Sequence, residues 1–176
     1  MKINVWEKEL TPVRYTTERI KALESYLQNF NQTLAEGKNL VICEDTEVGK
    51  TYLMHGIALD LGKQGFNTVH MSAHDIILAL MNGYCPNDLL SFDAMVIDDV
   101  EVLHKDHFPT FLEAISYRCK HKRPCILSCN VGFFFKNMDD VSAVFEPELW
   151  KTLTVDNGML VTMLDDTSCR MRTPQN

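Results

Sequence analysis

The chain has no apolar run approaching the roughly 18 residues that a membrane-spanning helix needs, so its 45% hydrophobic content is divided among short segments. Its first residues, Met1-Lys2-Ile3-Asn4-Val5-Trp6-Glu7, lack the apolar stretch of a secretion signal. Six cysteines, at 43, 85, 119, 125, 129 and 169, include no C-x-x-C pair. Cys119, His121, Cys125 and Cys129 therefore match no recognised zinc spacing, and Cys43, Cys125 and Cys129 read as packing thiols in core strands. These absences predict a cytoplasmic protein in a reducing compartment. Basic residues are also scarce: 17 Lys and Arg stand against 24 Asp and Glu, for a net charge of −7. Acidic chains seldom bind nucleic acid by bulk charge, because that affinity comes from neutralising phosphates. No repeat or low-complexity segment interrupts the 176 residues, a length that suits one domain with a substantial core.

What is present begins with residues 44–51, Glu-Asp-Thr-Glu-Val-Gly-Lys-Thr. They match the end of the phosphate-loop pattern G-x-x-x-x-G-K-[ST], in which backbone amides cradle phosphate, Lys reaches the outer phosphates and Ser or Thr holds Mg²⁺. Gly49, Lys50 and Thr51 are intact, and the loop backbone from Glu47 and Val48 to Tyr52 is the expected cofactor contact. The apolar run Asn39-Leu40-Val41-Ile42-Cys43 precedes it as a buried strand would. Leu53, Met54, Ile57, Ala58 and Leu61 follow at helical spacing, so a helix N-terminus faces the phosphates. A plain strand-to-helix turn with a surface lysine is the competing reading.

A second motif, Phe92-Asp93-Ala94-Met95-Val96-Ile97-Asp98-Asp99, is an apolar strand ending in two carboxylates. Asp98 suits a metal role through water, and Asp99 suits orientation or deprotonation of an attacking water. Third, the strand Cys125-Ile126-Leu127-Ser128-Cys129-Asn130 ends in a polar residue able to sense a terminal phosphate, or merely to start a turn. The basic run Arg118-Cys119-Lys120-His121-Lys122-Arg123 reads first as a solvated helix end and second as a patch for DNA or an acidic protein.

The order V-I-C-x5-G-K-T-Y-L, then M-V-I-D-D-V, then R-P-C-I-L-S-C-N resembles the ATPase core of the DnaC/IstB group of AAA+ proteins, helicase loaders and transposition ATPases related to the initiator DnaA. The closing stretch from Leu160 to Arg170 is similar to the last strand and tail of that group. The resemblance implies a three-layer α/β/α P-loop NTPase with a five-stranded parallel sheet in the order 5-1-4-3-2 and no separate lid domain. It implies ATP or ADP with Mg²⁺ as cofactor, held by Lys50, Thr51 and Asp98, with Asp99 and Asn130 as catalytic residues. The expected organisation is a short extension over 1–17, a core over 18–172 and a frayed tail over 173–176. Helices are predicted near 16–36, 50–64, 73–83, 106–121 and 139–152, and strands near 39–43, 67–71, 93–98, 124–129 and 159–164.

Departures from the group's pattern bear on activity. Glu44 and Glu47 replace loop glycines. A non-glycine residue forced to positive φ costs roughly 1–2 kcal/mol. A carboxylate about 4 Å from a phosphate adds up to ~4 kcal/mol at an effective dielectric near 20. Weak binding follows. The stretch Val144-Phe145-Glu146-Pro147-Glu148-Leu149-Trp150-Lys151 has no arginine where AAA+ relatives donate one between subunits, and none occurs between Arg123 and Arg170. Lys151 lacks the planar fork that clamps phosphate oxygens, so hydrolysis is expected to be very slow at most. The connection from Asn82 to Ser91, with Pro86 and few basic residues, predicts weak or no DNA contact.

The leading expectation is a small DnaC-like replication accessory protein, of host or mobile-element origin, that engages a replicative helicase, an initiator or a loader, with self-association left open. The alternative is a non-catalytic pseudo-ATPase module that modulates a host loader or initiator. A small-molecule kinase is disfavoured by the lack of an arginine-rich lid.

Overall fold

The computed structural model describes residues 17–44, 50–130, 153 and 158–162. Helix α1 (Thr17–Gln28) and helix α2 (Phe30–Glu36) lead into strand β1 (Asn39–Glu44). Helix α3 (Lys50–Lys63), β2 (Thr68–Ser72), α4 (Ala73–Met81), β3 (Ala94–Asp98), α5 (Phe108–Lys120), β4 (Cys125–Asn130) and β5 (Gly158–Thr162) follow. Short 3₁₀ turns at Asp88–Ser91, Val100–Val102 and Lys105–His107 join the later elements.

The strands run parallel in the order β2-β3-β4-β1-β5. Alternate residues of each central strand supply two separate cores. Leu40, Ile42, Ala94, Val96 and Ile126 face Leu27, Phe30, Leu53, Met54, Ile57 and Leu61, from α1, α2 and α3. Val41, Met95, Ile97, Cys125 and Leu127 join Ile76, Ile77, Phe111, Ala114 and Ile115, from α4 and α5. A sheet covered on both faces needs strands that are apolar throughout, and β3 is buried at all five positions. The parallel α/β architecture is therefore as expected. Among the described residues no helix is long and apolar enough to cross a membrane.

Several boundaries differ from expectation for local reasons. The single helix expected over 16–36 is two, because Asn29 leaves the helical region (φ −101°, ψ 26°). Its amide side chain bonds back to the Ser25 carbonyl at 2.8 Å, competing with the helix for that acceptor. Strand β2 extends to Ser72, which also caps α4: its hydroxyl accepts from the Asp75 amide at 3.1 Å, and its own amide donates to Asp75 Oδ2 at 3.0 Å. Helix α5 starts at Phe108, after the Lys105–His107 turn and with Pro109 in its first turn. The helix expected over 139–152 and the end of the strand expected over 159–164 lie outside the described residues. So do the N-terminal extension before Thr17 and the tail.

The basic run is the largest correction. Arg118 is wholly buried, and its guanidinium donates to the carbonyls of Leu89, Phe92 (3.2 Å) and Pro124 (3.1 Å). Arg123 pairs with Asp93 at 2.9 Å. The run is thus only partly a solvated helix end, since two of its cations bind the connection that leads into β3.

At the same end of the sheet, Gly37 closes α2 in the left-handed region (φ 70°, ψ 32°), and its amide bonds to the Leu34 carbonyl at 3.1 Å. A Cβ there would lie 2.8 Å from Lys122 Cα, in a turn whose φ of 53° is also left-handed. Gly37→Ala is therefore expected to lower the unfolding free energy by more than the ~1 kcal/mol of a left-handed alanine alone. Urea unfolding of the two proteins measures it, and equal midpoints would contradict the packing described here.

Candidate functional site

The carboxyl ends of β1, β4 and β3 lie side by side, each at the end of one predicted motif strand. Glu44 pairs in register with Asn130, Ile42 with Ser128, and Leu127 with Ile97. The next step along β3 after Ile97 is Asp98, which stands beside Ser128. The backbone thus brings the ends of all three predicted motifs to one edge of the sheet. Glu47, Val48 and Gly49 lie outside the described residues, and Asn130 is placed here by its backbone register alone.

Lys50 opens α3, and its side chain is 9% exposed. Thr51 and Tyr52 follow on the exposed side of the first turn. Helix amides left without intrahelical partners give this end a partial positive charge, so an anion placed against it is stabilised.

Asp98 is 2% exposed. Its Oδ1 accepts from the Ser128 hydroxyl and from the Asp99 amide at 3.0 Å. Its Oδ2 has no hydrogen-bond partner among the described residues. Leaving a buried carboxylate oxygen unpartnered costs on the order of 1–3 kcal/mol or more. A hard divalent cation takes such an oxygen as ligand, so the donor set fits Mg²⁺. Ser128 was not singled out as a site residue in the sequence. The available signal was a hydroxyl in an otherwise apolar central strand, two residues before Asn130.

Asp99 stands in the left-handed region (φ 55°, ψ 40°) and is exposed. Aspartate is among the few non-glycine residues found there, and backbone strain of this kind gathers at functional sites. The turn sends Asp99 to solvent while Asp98 stays in the core, so the paired carboxylates occupy different environments.

His70, also unpredicted, is half-buried on β2, two residues before Ser72, which registers with Asp98. Burial holds its imidazole below the ordinary histidine range; the Asp98 charge opposes this, His55 adds to it, and Asp99 opposes it. Its Nε2 lacks a partner among the described residues. The groove of about 590 Å³ along the outer edge, between α3 and β2, is lined by His55, Leu59, Lys63, Thr68 and His70 but not by Lys50 or Asp98.

Neither a protein-family model nor a curated protein matches the sequence. Solved structures do match the fold. The crystal structure of the DnaC helicase loader aligns over 92% of this chain and 99% of its own, with a TM-score of 0.70 at 18% identity. DnaI aligns over 94% of this chain and 92% of its own, with a TM-score of 0.61 at 18% identity. AMPPCP-bound DnaA from Aquifex aeolicus aligns over 89% of this chain, with a TM-score of 0.63 at 18% identity. This chain spans about half, 52%, of that DnaA chain. At such identities the likeness is one of fold, and the chain has a DnaC-like AAA+ fold.

Ser128→Ala should leave Asp98 Oδ1 with the Asp99 amide alone and lower stability by about 1–3 kcal/mol, the cost of an under-satisfied buried polar group. Chemical denaturation would read this directly. An unchanged midpoint would mean that the hydroxyl does not hold the carboxylate.

Proposed function

We propose that this DnaC-like chain is a DNA-replication accessory protein that binds ATP-Mg²⁺ weakly and acts through contact with a replicative helicase or an initiator. The observation that carries the nucleotide part is the Asp98 carboxylate, buried and held by Ser128 through one oxygen while the other is open. Buried carboxylate oxygens ordinarily have hydrogen-bond partners, so an open one suits a ligand role.

The roles follow from position. Lys50, at the start of α3, supplies a fixed positive charge to the outer phosphates, and the helix amides beside it add theirs. Thr51 and Asp98 would hold the cation, with Ser128 orienting Asp98. Magnesium, when bound, neutralises charge shared between the outer phosphates. Asp99, turned to solvent by its left-handed backbone, would orient a water, and Asn130 would contribute its polar side chain from the end of β4. Glu47 and Val48 contribute loop backbone, and Tyr52 flanks the helix start. The proposed core, 18–172, carries all of these residues, and the partner surface acts with little or no direct DNA contact.

The pseudo-ATPase reading draws on Glu44 and Glu47 in the loop and on the absence of arginine between Arg123 and Arg170. It assigns the same fold to a binding module that modulates a loader or initiator without turnover. Direct nucleotide titration separates the two readings, and co-purification with a replicative helicase or initiator tests the partner.

Lys50→Ala is expected to abolish Mg²⁺-dependent ATP binding in calorimetry. Equal affinities for variant and wild type would sink the nucleotide reading. If the two carboxylates weaken the site, Glu44→Gly with Glu47→Gly should tighten binding at least tenfold, about 1.4 kcal/mol. Added salt should help the wild type more than the double-glycine protein, because screening acts where like charges remain. A double variant that binds no better places the defect elsewhere, and failure of both proteins to bind favours the module.

A further inference from the structure

We propose that His55 and His70 form a two-histidine site for a late first-row transition-metal ion, such as Ni²⁺ or Zn²⁺, at the outer edge of the sheet. Both rings line the groove between α3 and β2, with centroids 5.8 Å apart and planes tilted by 54°. Both carriers are fixed. His55 follows the buried Leu53 and Met54 on α3, and His70 stands on β2 in register with Val96 of β3. The Thr68 hydroxyl donates to the Ala58 carbonyl at 3.0 Å, which pins the edge strand to the helix about one turn beyond His55.

The spacing of the rings suits a shared ion. An imidazole nitrogen binds such a metal at about 2.0–2.1 Å, which puts the ring centroid roughly 3.2 Å from the ion. Two rings on one ion then stand about 5.2 Å apart at the tetrahedral angle and roughly 5.5 Å apart at an angle of about 120°. The observed 5.8 Å is slightly wider, and a small rotation of the exposed His55 side chain closes the difference. His70 supplies a second observation: its Nε2 is buried and has no hydrogen-bond partner among the described residues. A buried polar atom left so is costly, and an ion bound there removes the cost.

The lining selects the class of ion. Neither a carboxylate nor a thiol lines the groove beside the two imidazoles. Mg²⁺ and Ca²⁺ take oxygen ligands, whereas neutral imidazole suits Zn²⁺, Cu²⁺ and Ni²⁺. Ligation needs the neutral ring, and burial favours that form of His70. Among the described residues no three ligating side chains gather, so water completes the coordination of the ion. Lys63, the nearest lysine in the groove, lies two turns further along α3, roughly 12 Å by helical rise. A bound ion ties α3 to the edge strand, and the site is separate from the phosphate edge because neither Lys50 nor Asp98 lines the groove. A second histidine pair, His104 and His107, has its rings 6.2 Å apart, but His104 Nδ1 already faces the Asp106 carboxylate at 3.5 Å.

The test titrates the untagged full chain, with its thiols reduced and no nucleotide present, with nickel chloride in a calorimeter. The expected result is one Ni²⁺ per chain, bound at least tenfold more weakly by His55→Ala and by His70→Ala. His104→Ala and Cys85→Ser should bind as the wild type does. His55 is exposed, so its variant should fold as the wild type does, which circular dichroism checks. Nickel should also raise the thermal midpoint of the wild type and leave that of His55→Ala in place. Absence of binding would overturn the proposal, as would wild-type affinity in folded His55→Ala. Loss of the site in His104→Ala or Cys85→Ser, with His55→Ala unaffected, would overturn it too. The measurement involves neither ATP nor the Asp98 edge, so its outcome is independent of the nucleotide reading.

Discussion

Keeping a carboxylate out of water at the end of a central strand is a demand that the neighbouring strands must meet. Asp98 is 2% exposed, and an ionised group there survives only with hydrogen bonds aimed at it. One donor is its own neighbour's amide, and the other is the hydroxyl of Ser128 on the adjacent strand β4, which must stand opposite it. A slip of one residue between β3 and β4 would turn Ser128 to the other face and bring Leu127 or Cys129 against the charge. The register that pairs Met95 with Cys125 and Ile97 with Leu127 is thus coupled to the chemistry of the site. The alternating cores enforce the same register, because Val96 and Ile126 feed one face while Ile97 and Leu127 feed the other.

The opposite end of the sheet solves the complementary problem for a cation. Arg118 reaches under β3 and β4 to the carbonyls of Leu89, Phe92 and Pro124, tying the connection before β3 to the turn before β4. Arg123 adds an ion pair to Asp93 at 2.9 Å. The two charged clusters therefore flank the same pair of strands, one at each end. Three carbonyls take up two nitrogens of the guanidinium, and each cluster leaves one buried polar atom without a partner among the described residues, Arg118 Nε at one end and Asp98 Oδ2 at the other.

The parallel α/β framework was legible because strands buried on both faces are apolar throughout and helices mark themselves by spacing. The placement of Lys50 at the start of α3 and of Asp98 at the end of β3 was legible for a related reason: both residues stand directly beside an apolar segment whose type its pattern declares. Ser128, His70 and Arg118 were not. Ser128 meets Asp98 across 30 residues through strand register, and Arg118 reaches Phe92 across 26 through the packing of α5. Asn29 escaped notice because its side chain competes for a carbonyl that the apolar pattern of α1 and α2 assigns to a continuous helix. A cation at a helix end is ordinarily solvated, whereas the burial of Arg118 follows from the nearby Pro124 carbonyl and from the Leu89 and Phe92 carbonyls of a distant connection.

The distribution of retained and altered residues bears on which reading of the site is stronger. Lys50 and Asp98 belong to α3 and β3, where packing fixes the backbone, whereas Glu44 and Glu47 fall at the strand end and in the loop between. A purely structural protein has reason to keep Asp98, since removing it would orphan the Ser128 hydroxyl. Oδ2 has no partner among the described residues, and a buried carboxylate oxygen left so is costly. Packing alone accounts for the first oxygen and not for the second. On the proposed nucleotide reading, a cation carried in with a phosphate-bearing ligand would take up that second oxygen.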